Sequence, residues 1–285
     1  MHSKARHMRK DAREHSLLGP AIVILVLLVA FAHCTLTRRS RSNVSWQDPP
    51  QDNAYLFDRD KFLHDNGRYT YEDGSVVARR TGVDVADHEG HIDWEAVAND
   101  GIEFAFIRIG YRGNTEGLVH EDELFEENLT AAQNAGLACG TYFYSQALNE
   151  DEAREEAAFV IDRLGSRQLE YPVVFDYELG SGHRIADVDE ATATACVRAF
   201  CEAIRDAGYT PMLYGNNYDL RRISLSELPD YPIWFAEYGS TPSYEGAFAI
   251  WQYSESGHVN GIDSNVDLNL DLSEALQALS SASEE

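Results

Sequence analysis

From residue 81 onward, short apolar runs alternate with amphipathic stretches along most of the chain. The runs at 81–86, 103–109, 138–144, 172–178, 210–214, 232–236, 247–252 and 264–268 have strand length. Several are almost continuously apolar, as strands covered on both faces are. Helical spacing of apolar positions marks 93–99, 122–135, 150–164 and 188–207. Each of the first five strands is separated from the next by a helical stretch. That pattern predicts parallel strands joined by crossover helices. Shorter, irregular segments join the last three. Together these elements predict an α/β fold, a compressed TIM-like barrel smaller than the ~250 residues typical of the architecture. A doubly wound open sheet is the alternative. No G-x-G-x-x-G opens a helix after the first strand and there is no P-loop, which counts against the nucleotide folds.

The segment before the barrel has a different pattern. Residues 17–36 read LLGPAIVILVLLVAFAHCTL and carry no Asp, Glu, Lys or Arg. About 20 apolar residues suffice to cross a bilayer core. Basic residues flank the run on both sides, and residues 1–16 are expected to stay cytoplasmic by the positive-inside bias. Two readings stand: an uncleaved signal-anchor, or a signal peptide cut near Ala32 after a small-x-small pattern. A lipid anchor on Cys34 fits less well, because the bulky His33 precedes it. Each route places the rest of the chain outside the cytoplasm, anchored by a single pass or secreted. Residues 37–78 read as a stalk or linker. Tyr69-Thr70-Tyr71 and Val76-Val77-Ala78 flank Asp73-Gly74, a hairpin signal at its end. The barrel is expected over 79–273, followed by an acidic tail at 274–285.

Composition narrows the function. The chain has 285 residues and a formal net charge of −25, with 48 Asp+Glu against 23 Lys+Arg. A surface so acidic repels polyphosphate and argues against nucleic acid as a partner. A well-solvated surface accounts for the rest of the acidity. The four cysteines give little. Cys34 lies in the apolar run, Cys139 on a strand, and Cys196 and Cys201 stand five apart on a helix, where they face different sides. Buried free thiols are expected.

A barrel gathers the C-terminal ends of its strands on one face, where active sites sit. The polar residues at those ends are therefore candidates for one pocket, acidic and aromatic in character. The candidate substrate-binding residues are Asp84, Arg108, Tyr142, Tyr144, Tyr214, Trp234, Tyr238, Trp251, Gln252 and Asp267. Aromatic faces stack on sugar rings, while carboxylates and amides bind hydroxyl and N-acetyl groups. The sharpest element is Tyr171-Pro-Val-Val-Phe-Asp-Tyr-Glu178. Asp176 and Glu178 stand two apart on a strand and so point to the same face. Two carboxylates that close cannot both ionise freely, and a carboxyl kept protonated at neutral pH is what a glycosidic general acid requires. A metal site or a solvated strand edge is the structural alternative. Asp87-His88-Glu89-Gly90-His91-Ile92-Asp93 matches no metal spacing, and Asp93 before Trp94 reads as a helix N-cap. No metal is expected. Arg108 either pairs with a pocket carboxylate or belongs to an ion pair inside the barrel.

These residues resemble a known family. Thr81-Gly-Val-Asp-Val-Ala-Asp-His-Glu-Gly-His-Ile-Asp-Trp94 looks like the opening of glycoside hydrolase family 25, the Chalaropsis-type lysozymes or N-acetylmuramidases. The likeness continues through Phe106-Ile-Arg-Ile-Gly-Tyr111, Gly140-Thr-Tyr-Phe-Tyr-Ser145, Val174-Phe-Asp-Tyr-Glu178, Leu213-Tyr-Gly-Asn216, Trp251-Gln-Tyr-Ser254 and Val266-Asp-Leu-Asn269. It implies a flattened barrel of five βα units and three further strands. It also implies hydrolysis of the β-1,4 bond between N-acetylmuramic acid and N-acetylglucosamine in peptidoglycan, without a cofactor. Position by position, Glu178 is similar to the family's general acid and Asp176 to its partner carboxylate. Asp84 and Asp267 match the other acids of the groove. Gly215 departs from the Ser often found there, and Glu237 occupies a variable position. The expected partner is the peptidoglycan glycan strand, together with the membrane if residues 17–36 are retained. No protein partner is indicated. The competing readings are a non-catalytic wall-binding module on a membrane stalk, and an exported glycosidase of another kind such as a chitinase. The chitinase reading lacks the longer D-x-x-D-x-D-x-E strand pattern.

Overall fold

The computed structural model describes residues 57–178, 182–229, 231–239 and 241–283. The apolar run 17–36 lies outside them. Among the described residues no helix is long and apolar enough to cross a membrane.

The described chain begins with a small antiparallel sheet of β1 (Phe62–Asp65), β2 (Arg68–Asp73) and β3 (Val76–Ala78). The first turn is Asn66-Gly67, with φ of 49° and 76°. Two positive φ values in a two-residue loop suit the right-handed twist of the strands, and Asn-Gly is the dipeptide that adopts them most readily. Asp73-Gly74 opens the second turn. Strand β1 thus extends the expected hairpin to three strands and occupies residues read from the sequence as featureless stalk.

Eight strands then close into a barrel. They are β4 (Thr81–Val85), β5 (Phe104–Arg112), β7 (Ala138–Tyr144), β8 (Val173–Asp176), β9 (Pro211–Gly215), β10 (Ile233–Ala236), β11 (Ile250–Gly257) and β12 (Val266–Asp271), with β4 pairing β5 to complete the ring. A short β6 (Val119–Glu121) pairs with the end of β5. All barrel neighbours run parallel except β12, which is antiparallel to both β11 and β4. Its direction follows from the connection. Residues 258–265 are too few for the dozen or more that a parallel crossover needs. The sequence rule that gathers eight C-terminal strand ends therefore fails for the last strand, which presents its beginning to the pocket.

The helices are α1 (Trp94–Asn99), α2 (Phe125–Asn134), α3 (Glu150–Leu164), α4 (Glu190–Asp206), α5 (Asn217–Leu220) and α6 (Ser273–Ser283). Asp93, Asn149 and Asp189 cap α1, α3 and α4, each accepting from a backbone N–H three residues on. Helix α4 lays Val197, Phe200, Cys201 and Ile204 against the outer face of the barrel. Helix α6, Ser273–Ser283, takes up most of the 274–285 segment expected as an acidic tail. Asp271 caps it by accepting from the Ser273 amide and hydroxyl, and Ala275 and Leu276 are buried.

Alternation along each strand divides inside from outside. On β5, Phe104, Phe106 and Arg108 point into the barrel, while Ala105, Ile107 and Ile109 face the helices. Phe104 stacks on Tyr171 at 4.6 Å and Phe106 on Trp234 at 4.5 Å. Those rings need room from their neighbours. A Cβ at Gly82 would meet the Phe104 ring at 2.3 Å, and one at Gly140 would meet Phe106 at 2.6 Å. Both glycines are therefore packing requirements of a narrow barrel. Cys139, Cys196 and Cys201 are buried free thiols.

Candidate active site

The same alternation aims a set of polar side chains at the open end of the barrel. Asp84 on β4, Tyr142 and Tyr144 on β7, Asp176 on β8, Tyr214 on β9 and Gln252 on β11 all point inward near their strand ends. Reversed β12 adds Asp267 and Asn269 from its first half.

Gln252 is the hub of one side. Its Nε2 donates to both oxygens of Asp84, at 3.1 and 3.0 Å, and to Asp267 Oδ2 at 3.2 Å. Its Oε1 accepts from the hydroxyls of Tyr214 and Tyr238, each at 2.8 Å. Asn269 Nδ2 donates to Asp84 at 2.7 Å, and Asn269 Oδ1 accepts from Trp234 Nε1 at 2.8 Å. The polar groups of this cluster hold each other in one arrangement. Burial raises the Asp84 carboxyl to about 6, against the pull of the Asn269 and Gln252 amides. Burial and the charge of Asp84 push Asp267 up to about 9. The pair therefore keeps a proton at neutral pH.

The other side is Asp176 and Glu178. Asp176 is 7% exposed, and its Oδ1 has no hydrogen-bond partner among the described residues. Burial raises its pKa well above the usual carboxylate range, and the charges of Glu178, Asp219 and Asp84 raise it further. Glu178 is raised by burial first and by Asp219 next, with His183 opposing. His183 stands beside it, its Nδ1 3.1 Å from the Glu178 carbonyl oxygen and its ring edge-on to Tyr144 at 6.4 Å. The environment thus favours a neutral carboxyl on both acids, where the sequence required it of only one.

Arg108 is tied to loop acids. Its Nε donates to Asp122 at 2.8 Å and its Nη2 to Asp87 at 2.7 Å, beside His88. Asp122 Oδ2 also accepts from the Asp87 amide at 3.0 Å. Arg108 therefore pins the β4–α1 loop beside the pocket, and its charge opposes the rise at Asp176. Tyr142 is half-buried with its ring edge to Trp234.

Two aromatic candidates stand elsewhere. Trp251 neighbours the inward Gln252 on β11 and so faces outward. It is fully buried beneath the small sheet, 5.2 Å from Phe62 and 4.7 Å from Tyr69. Trp234 does point inward, but it lies below the pocket against Phe106 at 1% exposure. Neither offers a ring to a ligand. Tyr238, at 42% exposure, does.

Sequence reasoning passed over three residues of the cluster. Asn269 shares a strand face with Asp267, and the i, i+2 spacing was a usable signal. Asp219 is a 2% exposed acid in the short helix α5, and nothing local in the sequence marks it. His183 lies in a loop whose path the pattern does not set. Among the described residues no group of three or more His, Cys, Asp or Glu could hold a metal ion.

A barrel mouth with two pairs of proton-retaining acids is suited to protonating an oxygen leaving group and steadying developing positive charge. Comparison with known proteins identifies relatives of the chain. The autolytic lysozyme of Clostridium acetobutylicum is 30% identical over 189 residues, covering 66% of this chain and 54% of that protein. This chain thus matches about half the length of that relative. Lysozyme M1 of Streptomyces globisporus is 28% identical over 202 residues, covering 66% of each chain. Among solved structures, a bacterial lysozyme from Streptomyces coelicolor shares the fold with a TM-score of 0.60 at 23% identity, over 74% of this chain and 99% of that one. The model of the glycosyl hydrolases family 25 matches residues 83–262, more than half of the sequence, from within β4 into the loop before β12, and the chain belongs to that family.

Proposed function

We propose that this protein is a muramidase that cleaves the β-1,4 bond between N-acetylmuramic acid and N-acetylglucosamine in peptidoglycan. The observation that carries the reading is the Asp176/Glu178 pair, two acids held toward their neutral form at the end of β8 within a mouth of further carboxylates. Relatives named as lysozymes support the substrate class.

In the proposed reaction Glu178 gives its proton to the departing glycosidic oxygen. Positive charge grows at the anomeric carbon, and the substrate's own 2-acetamido oxygen closes on that carbon from the opposite side. Asp176 orients the acetamido group by accepting its N–H on the carboxyl oxygen that has no partner among the described residues. Asp176 and Glu178 project from the same side of one strand, which disfavours a simple pair flanking the bond and favours substrate assistance. Water then opens the bicyclic intermediate with Glu178, now ionised, as the base. Asp84 and Asp267, fixed by Gln252 and Asn269, bind the sugar beside the reacting ring, with Tyr238 as a stacking surface.

We also propose that residues 17–36 export the barrel, leaving it anchored or released outside the cytoplasm. The support is the apolar run and its basic flanks.

The deciding experiment is digestion of purified peptidoglycan by the full chain beside Glu178→Gln, with mass analysis of the reducing ends. New N-acetylmuramic acid ends from the wild type, reduced ~10²–10⁴-fold in the variant, are expected of a general acid. Binding with no new reducing ends from either protein would leave the wall-binding module instead.

A further inference from the structure

The small N-terminal sheet lies before the residues matched by the family model, and it does more than cover Trp251. A cavity of about 580 Å³ opens between its β1–β2 turn and the outer end of β11. That volume falls within the ~300–1,000 Å³ of ordinary small-ligand sites. One wall is Tyr69 on β2, whose ring packs on Tyr253 at 5.2 Å and stacks with His64 at 4.4 Å. The opposite wall is the segment from Ser254 to His258, where β11 continues past the barrel rim and its register with β12 shifts twice. The third wall is Tyr238, whose hydroxyl is bonded to Gln252. The cavity is therefore separated from Asp84 and Asp267 by one exposed tyrosine.

We propose that this cavity is an additional glycan subsite, which takes a further N-acetylated sugar ring of the same strand beyond the ring held by Asp84 and Asp267. The inference rests on the peptidoglycan-hydrolase reading and adds to it a role for the N-terminal sheet. The chemistry of the walls selects the ligand. Tyr238 offers an exposed flat face for the C–H face of a pyranose, and the exposed His64 ring, stacked on Tyr69, offers a second. The turn at Asn66-Gly67, Ser256 and the two histidines offer donors and acceptors for hydroxyl and acetamido groups. Arg68 pairs through Nη2 with Asp100 at 2.8 Å and Glu255 adds a negative charge, so the lining carries no surplus of positive charge, while the buried Arg68 Nη1 keeps an unpartnered N–H among the described residues. Tyr238 joins the two regions, and one continuous strand can occupy both.

The subsite makes binding depend on glycan length. The test uses the full chain carrying Glu178→Gln and measures the affinity of a defined tetrasaccharide and hexasaccharide of alternating N-acetylglucosamine and N-acetylmuramic acid. The hexasaccharide is expected to bind up to about tenfold tighter, the equivalent of one aromatic stacking contact. Ser256→Trp fills the cavity from an exposed position and is expected to erase that difference. His258→Ala, which adds no bulk, is expected to reduce it. The wild-type chain is assayed in parallel for the ratio of kcat/KM on the two lengths. A length advantage that survives both substitutions, or no advantage in the parent, overturns the subsite even if wild-type chain cleaves peptidoglycan. Absence of both cleavage and binding overturns the hydrolase reading, and the subsite with it.

Discussion

Asp84 and Asp267 stand opposite one another as Cα partners on the antiparallel β4–β12 ladder, and a single amide, that of Gln252, donates to both. Like charges directly opposite on a ladder are destabilising, and retaining one proton between them removes the conflict. Their pKa values of about 6 and about 9 lie above the ordinary aspartate value. Between that value and about 9 the folded state thus binds more protons than the unfolded chain. Stability is greatest at the acid end of this window and falls as pH rises through it. Asp267→Asn removes the ionisation and keeps an acceptor for Gln252. Thermal melts across the window should show a flatter decline for the variant, and a higher Tm than wild type at the alkaline end. Parallel curves for the two proteins would mean that the pair does not hold the proton.

Asp219 raises Glu178 more than any other charge does. Replacing it with Asn removes a negative neighbour, so Glu178 ionises at lower pH and its protonated form is lost sooner. The basic limb of the pH profile of kcat/KM should move to lower pH, with the pH-independent maximum less affected. A profile that keeps its basic limb in Asp219→Asn would place the titrating acid elsewhere.

Trp251 is buried at the interface between the small sheet and the barrel. Trp251→Ala should cost about 3–5 kcal/mol in chemical denaturation, as deletion of a buried aromatic does. KM on a tetrasaccharide should change little. A large rise in KM with unchanged stability would instead make the indole a ligand contact.

Beneath the mouth, Arg112 donates to buried Glu156 at 2.6 Å, and Glu156 accepts from the Ser145 hydroxyl at 2.6 Å. Ser145 in turn donates its amide to the Asp176 carbonyl at 2.8 Å. Burial already lifts Glu156 to about 7, and Arg112 is one of the groups opposing that rise. Arg112→Met leaves the acid without its cation and should cost about 3–5 kcal/mol. The loss should be smaller at low pH, where Glu156 is neutral in the folded form of both proteins. Equal losses at pH 5 and pH 8 would show that the ion pair is not the source.

The barrel was legible because strands covered on both faces read as apolar runs, and because crossover helices leave amphipathic stretches between them. The shared orientation of Asp176 and Glu178 was legible because i, i+2 on a strand fixes two side chains to one side. The two tryptophans were misplaced for a related reason. Position at a strand end says nothing of inside or outside until one residue of the strand is anchored, and Gln252 on β11 supplies that anchor. The direction of β12 was readable from the short 258–265 connection. Asn66-Gly67 was an equally open signal for the first hairpin. Asp219 and His183 could not be found locally, since their place depends on how a short helix and a loop fold back over β8.

The reversal of β12 also decides where the chain comes and goes. Because the last strand runs against the others, the barrel is entered at Thr81 and left at Asp271 on the same rim, where the Asp271 amide donates to the Arg80 carbonyl at 3.0 Å. That rim is the one remote from the carboxylates. The termini of the barrel are thus near enough for a circular permutant to join them with a short linker. A polymer far longer than the groove can lie across the other rim without meeting the junctions at Thr81 and Asp271.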